Sequence, residues 1–256
     1  MILALDVGNS QIHGGVYEGD QLKMQFRKNT KNSNSSDELG LFLVAVLREN
    51  GIDPKSVSQI AICSVVPEIN HSLKGACSKY FSRQPFFLQA GTKTGLKIKY
   101  RNPLEVGSDR IANAIAAAHL YPGKNAIIAD FGTATTYDVV TSEKEYLGGL
   151  ILPGLRISME ALESKTARLP AVEIIQPTEI VGRSTVESIQ SGLFYQNLFA
   201  HQGITERIKS QYFANSEVVV LGTGGFSRMF AQEGGFHAVI PELVLMGLNL
   251  ALHYNL

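Results

Sequence analysis

Cysteine is scarce in this chain of 256 residues: only Cys63 and Cys77 are present. They form no C-x-x-C pair, and no two of the six histidines stand at zinc spacing. Neither a disulfide framework nor a structural zinc site is expected; the two cysteines read as reduced, buried thiols. Charge of one sign is also lacking. Lys+Arg and Asp+Glu both total 23, for a net charge of +0, which argues against nucleic acid as a main partner. No run approaches the ~18 apolar residues of a membrane helix. The start, Met1-Ile-Leu-Ala-Leu-Asp6, has no basic region and puts Asp6 inside its apolar stretch, so it does not read as a signal peptide. Neither G-x-x-x-x-G-K-[ST] nor a Rossmann G-x-G-x-x-G occurs. What remains is a cytoplasmic globular protein without membrane or nucleic-acid partners, long enough to bury a core unaided.

What the chain does contain is a repeat. Ile2-Leu-Ala-Leu-Asp6-Val-Gly8-Asn-Ser10 and Ile127-Ile-Ala-Asp130-Phe-Gly132-Thr-Ala-Thr135 are each an apolar run closed by Asp-x-Gly and a small polar residue. Each reads as a buried strand running into a hairpin. The two aspartates stand 124 positions apart, about half the chain. The repeat implies two α/β halves, divided at Tyr121-Pro122-Gly123 into residues 1–122 and 123–256. The first half reads β-β-β-α-β-α-β. A polar loop spans 29–36, a Ser35/Glu38 capping box opens its first helix, and Gly51 stops it. A loop over 89–106 then leads to Gly107-Ser-Asp-Arg110 and an Ala-rich helix. The second half begins with three strands, then a helix from Pro153-Gly154. Ser184/Glu187 caps a long helix to about Phe213. Its Gly192 and Gly203 are expected to mark close packing or a break. A strand at 217–221, Gly222-Thr-Gly-Gly225, a short strand and a helix over 241–254 complete it.

A tight turn between strands exposes backbone N–H groups in a concave array that suits anions. Asn9, Ser10, Thr133 and Thr135 add side-chain donors there, and Asp6 or Asp130 at the mouth of a turn could hold a cation or position a water. Two such turns, one per half, could grip a polyphosphate from both sides. Gly148-Gly149…Pro153-Gly154 and Gly222-Thr-Gly-Gly225 each read as strand-to-helix connections suited to phosphate or adenosine. Asp109-Arg110, at the start of the Ala-rich helix, offers a proton acceptor beside positive charge, as phosphoryl transfer to a hydroxyl needs. The alternative for this pair is a favourable first-turn acid with a surface partner. Tyr100 and Thr185 could line the same site or simply pack.

These motifs resemble a known family. The architecture is similar to the superfamily of sugar kinases, acetate kinase, actin and heat-shock ATPases. Within it the chain resembles the type III pantothenate kinases along nearly its whole length. The resemblance is carried by Asp6-Val-Gly-Asn-Ser10, Gly107-Ser-Asp-Arg-Ile-Ala-Asn113, Asp130-Phe-Gly-Thr-Ala-Thr-Thr136, Gly148-Gly-Leu-Ile-Leu-Pro-Gly154, Leu169-Pro-Ala-Val-Glu173 and the helix around Thr185, Ser191 and Gly192. The chain departs from relatives at Gln196, where they carry Gly, and at Met246, where an acid is common. The resemblance implies two duplicated ribonuclease-H-like (actin-like ATPase) domains, each a mixed five-stranded sheet with flanking helices. It implies ATP-dependent phosphorylation of pantothenate, with Asp109 as proton acceptor. Tyr100, Gly107, Ser108, Asp109, Arg110 and Thr185 would hold pantothenate. Asp6, Val7, Gly8, Asn9, Ser10, Gln11, Ile12, His13 and Thr133 would hold ATP. Asp130 would bind a monovalent cation, potassium or ammonium, besides the magnesium carried by ATP. It also implies a homodimer whose active site lies at the subunit interface, with Thr185 lent by the partner. Two other readings are an ATP-binding regulator or actin-like scaffold, and a kinase of another small hydroxy-acid.

Overall fold

Both copies of the repeat open the same order of five strands, in one sheet of five strands and one of six. The computed structural model describes residues 1–30, 35–214 and 216–256. It divides into two compact units: Met1–Ala116 with Leu243–Leu256, and Ala117–Glu242. The first unit holds β1 (Ile2–Val7), β2 (Gln11–Glu18), β3 (Gln21–Asn29), α1 (Ser36–Glu49), β4 (Gln59–Ser64), α2 (Asn70–Phe81), β5 (Phe86–Phe87), β6 (Lys97–Ile98) and the start of α3 (Ser108–Leu120). Its sheet runs β3-β2-β1-β4-β5. β1 pairs antiparallel with β2 and parallel with β4. A strand between two neighbours and under helices is buried on both faces, which is why β1 and β4 are continuous apolar runs. At the edge, β3 alternates in exposure. Leu3, Leu5 and Val7 meet α1 and α2 through Leu39, Leu43, Leu47 and Leu73. Ser35 caps α1 as expected: its hydroxyl accepts from the Glu38 amide while Glu38 accepts from the Ser35 amide. Most of the polar loop over 29–36 lies outside the described residues.

The second unit's own strands repeat the pattern. They are β7 (Asn125–Phe131), β8 (Ala134–Val140), β9 (Glu145–Pro153), β10 (Val218–Thr223) and β11 (Ala238–Val239), with α4 (Leu155–Lys165) and α5 (Thr185–Tyr212). Their order is β9-β8-β7-β10-β11, with β7 and β10 parallel. Even the irregularities recur: the register slips between Val16 and Tyr17 in β2 and between Val139 and Val140 in β8. The core here is aromatic, with Phe131, Tyr137, Phe194 and Phe230 packed between sheet and α5. His201 of α5 is wholly buried among these rings, its Nε2 2.8 Å from the Gly234 carbonyl. Burial lowers its pKa to about 4, so it sits there neutral.

Two details differ from the sequence reading. The halves were expected to divide at 122/123, but the compact units divide within α3, and the C-terminal helix α6 (Leu243–Tyr254) returns to pack on β1, β2 and β4 of the first unit. Gly247 permits this, because a Cβ there would overlap the Ala112 carbonyl of α3. Gly192 and Gly203 neither break α5 nor mark close packing: the helix is continuous, and a Cβ at either position would meet nothing within 4 Å.

Candidate active site

In the first unit the turn after β1 is four residues, since Val7 still pairs with Ile12. The Gly8 amide donates to the Gln11 carbonyl at 3.0 Å. Thr30, just past β3, clamps this turn from behind. Its amide donates to the Ser10 carbonyl (3.0 Å) and its hydroxyl to the Gly8 carbonyl (2.7 Å). Asn9 and Gln11 are exposed, and Gly8 and Ser10 are half-buried. Val7 and Ile12 are core residues, so only their main chain is available to a ligand. His13 is buried against Gln25 Oε1, 3.0 Å away. Burial and then Arg27 lower its pKa to about 4, against the opposing Gln25 bond, so it too is neutral.

Asp6 sits in a cross-strand row, with His13 and Arg27 in register on one side and Cys63 on the other. The Cys63 thiol donates to Asp6 Oδ1 at 3.4 Å. Burial, followed by the charges of Asp6 and Asp109, pushes this thiol well above its ordinary pKa, so it remains a protonated donor. Asp109 stands in the first turn of α3. Its Oδ1 accepts from the Arg110 amide at 2.8 Å. Burial raises its pKa, opposed by that amide and by the Arg110 guanidinium. Gly107 makes room for the carboxylate, because a Cβ there would overlap Asp109 Oδ1. Ser108 turns its hydroxyl towards β4: it accepts from the Ser64 amide (3.1 Å) and donates to the Ser64 carbonyl (3.3 Å). Arg110 is buried, and Tyr100 is half-buried just past β6.

In the second unit the corresponding turn is one residue shorter, because Phe131 pairs with Thr135. The Gly132 amide donates to the Ala134 carbonyl at 3.2 Å. In place of the threonine clamp, Gly154, which caps α4, lies directly against this turn; a Cβ would overlap the carbonyls of Gly132 and Thr133. Thr133 is exposed, as a ligand contact requires. Thr135 departs from expectation. It is buried in the sheet, and its hydroxyl finds no hydrogen-bond partner among the described residues. The Asp130 carboxylate lies in a glycine cradle: a Cβ at Gly224 would overlap its Oδ1, and one at Gly132 would come within 3.3 Å. Gly224 holds φ +88, a conformation that only glycine adopts freely. Gly148 and Gly149 lie inside β9, whose end at Pro153-Gly154 runs into α4, a strand-to-helix connection as read; Gly222-Thr-Gly-Gly225 instead leads from β10 into a short 3₁₀ turn over Ser227–Phe230. Thr185 is the exposed first residue of α5 and borders a cavity of about 740 Å³ with Leu162, Leu169, Arg183 and Gly192. Among the described residues no three His, Cys, Asp or Glu side chains gather into a metal cluster.

The family model described as type III pantothenate kinase matches residues 2–207. The chain belongs to the type III pantothenate kinase family. It is 55% identical over 255 residues to the type III pantothenate kinase of Legionella pneumophila (strain Paris), spanning 100% of this chain and 99% of that protein. It is 49% identical over 255 residues to that of Elusimicrobium minutum (strain Pei191), with the same coverage. Solved structures of lower identity show the fold. The ROK hexokinase of Thermus thermophilus aligns with a TM-score of 0.51 at 14% identity, over 98% of this chain and 97% of that one. The ROK family glucokinase of Streptomyces griseus aligns at 0.51 and 12% identity, over 98% and 99%. The chain is therefore a kinase of actin-like ATPase fold. For a type III pantothenate kinase, sequence reasoning missed Thr30, Cys63 and Ser64 as supports of the first unit's site. Cys63-Ser64 ends an apolar run, the one available hint; nothing local to it says that parallel pairing sets it beside Asp6.

Proposed function

We infer that the chain transfers the terminal phosphoryl group of ATP to the primary hydroxyl of pantothenate, forming 4'-phosphopantothenate, the first step towards coenzyme A. The observation that carries this reading is a buried carboxylate of raised pKa at a helix start, Asp109, in a chain 55% identical along its full length to a named pantothenate kinase. A carboxylate made more basic by burial is a better proton acceptor for a substrate hydroxyl at neutral pH. Gly107, Arg110 and Tyr100 hold the substrate near it. Arg110 supplies positive charge, and the first-turn amides of α3 favour the carboxylate of pantothenate. Ser108 contributes through its main chain, because its hydroxyl is engaged with Ser64. The turn from Asp6 to His13, with Thr133, binds ATP phosphates through amides and the exposed polar side chains.

Asp130 suits a monovalent cation such as potassium or ammonium: a half-buried hard-oxygen donor against which two glycines pack closely. Such an ion would offset phosphate charge, in addition to the magnesium that accompanies ATP. No described helix is long and apolar enough to cross a membrane, in keeping with a cytoplasmic enzyme. The second unit exposes Ile151, Ile157, Ile180, Val181 and Val186. Apolar surface of that extent supports a homodimer in which Thr185 completes the partner's substrate pocket. Asp109→Asn tests the assignment: turnover should fall by about 10²–10⁴-fold with ATP still bound, and a variant keeping a tenth of wild-type turnover would remove Asp109 from the proton-acceptor role. Equal rates in potassium and sodium would count against the cation role of Asp130. A monomer by sedimentation would count against the shared pocket.

A further inference from the structure

We propose that the last two residues of β4 and the one that follows, Cys63-Ser64-Val65, form a brace that sets Asp6 and Asp109 relative to each other, which makes Cys63 and Ser108 positioning residues for the transfer. This rests on the reading of Asp109 as proton acceptor. Three consecutive residues each make a different tie. Cys63 lies abreast of Asp6 in the parallel register of β1 and β4, and its thiol donates to Asp6 Oδ1 at 3.4 Å. Ser64 is joined to α3 twice over, its amide donating to Ser108 Oγ and its carbonyl accepting from it. Val65 is tied to the other side, its amide donating to the Val7 carbonyl at 3.1 Å, one residue before the phosphate turn. Its Cγ1 also lies 3.7 Å from where a Gly107 Cβ would stand. The strand end is itself fixed, since the Ser64 hydroxyl accepts from the Val66 amide and donates to the Val66 carbonyl.

The chemistry of each group fits a brace better than a ligand. Cys63 is fully buried and held protonated, so it is neither nucleophile nor exposed packing surface but a fixed donor to a carboxylate. The Ser108 hydroxyl uses both its donor and an acceptor site on the main chain of one residue of β4, Ser64, which leaves it little capacity for substrate. A carboxylate acting in proton transfer is sensitive to placement: a misplacement of about 1 Å can cost roughly 10²-fold in rate. Loss of either tie frees one carboxylate to move against the other.

Steady-state kinetics on full-length Cys63→Ala, Cys63→Ser, Ser108→Ala and Asp109→Asn, with thermal unfolding alongside, tests this. Cys63→Ala and Ser108→Ala should each lower kcat by about 10- to 100-fold. KM for pantothenate and ATP should stay within about twofold, because the ties act on placement rather than on ground-state binding. Cys63→Ser keeps a donor at the same position and should recover most of kcat. Cys63→Val, apolar and at home in a strand, takes the place of Cys63→Ala if that variant does not fold. Full turnover in the donor-free Cys63 variant overturns the proposal, and so does a Cys63→Ser enzyme as slow as Cys63→Ala. A Ser108→Ala enzyme with raised pantothenate KM and unchanged kcat would make that hydroxyl a substrate ligand and also overturn it. Failure of the reading beneath is separate: it shows as turnover retained in Asp109→Asn, whatever the brace variants do.

Discussion

Burial lifts the Asp109 carboxyl above its ordinary range, and the Arg110 amide and guanidinium offset that only in part. As the proposed proton acceptor Asp109 must be ionised, so kcat/KM should fall as pH drops through this raised pKa. A pH–rate profile should place its acid limb above the ordinary aspartate value of about 3.9. The same shift works against stability: the folded state holds its proton longer than the unfolded chain, so stability present at low pH is lost as pH rises through the folded pKa. Asp109→Asn should therefore unfold at a higher temperature than wild type at neutral pH, despite its lost turnover; a lower midpoint would mean that the charge is better compensated than its burial implies. His13 and His201 act in the opposite direction. Each resists protonation down to about 4, against an ordinary value of 6.5. The unfolded chain takes up those protons first, so stability should fall as pH drops from about 6.5 to 4. Unfolding midpoints across that window check this, and a flat profile would mean that the two rings are not held neutral. Cys63 and Cys77, the second raised to about 12 by burial, should resist iodoacetamide in the native protein and react once it is unfolded.

Helix α3 carries Asp109, and α6 holds α3 in place. Gly247 of α6 lies so close to the Ala112 carbonyl that Gly247→Ala must push the two helices apart. Overpacking of this kind costs about 1–3 kcal/mol. Denaturant unfolding should show that loss, and kcat should drop with it because the start of α3 shifts; an unchanged midpoint would mean that the contact relaxes without strain. Nothing local in residues 241–254 says that this helix crosses back to strands near residue 4, so the sequence puts the boundary at the helix-ending Tyr121-Pro122-Gly123 and not where the chain packs. Elements with local signals were legible. The Ser35/Glu38 capping box, the Ala-rich stretch and the apolar runs of β1, β4, β7 and β10 all form as their residues dictate. Gly192 and Gly203 misled because a glycine in a helix signals missing bulk without saying what fills the space. At Gly192 the answer is the cavity beside Thr185.

Across the whole chain, the doubled Asp-x-Gly hairpin correctly announced two units of one topology, but not that the copies would diverge in how their turns are held. Thr30 clamps the longer first turn with a hydroxyl, and Gly154 presses backbone on backbone against the shorter second. Those supports come from residues 22 positions away from the turn in each copy, beyond any local pattern, whereas the Asp and Gly at the turn are read directly. On the proposed reading the turns serve the nucleotide, and the unrepeated Gly107-Ser-Asp-Arg110 serves the acceptor. This division is tested most directly by ADP release at fixed ATP, with and without pantothenate. Release that depends on pantothenate and is matched mole for mole by 4'-phosphopantothenate is the expected result. Release at the same rate without pantothenate, with no phosphorylated product, would contradict it.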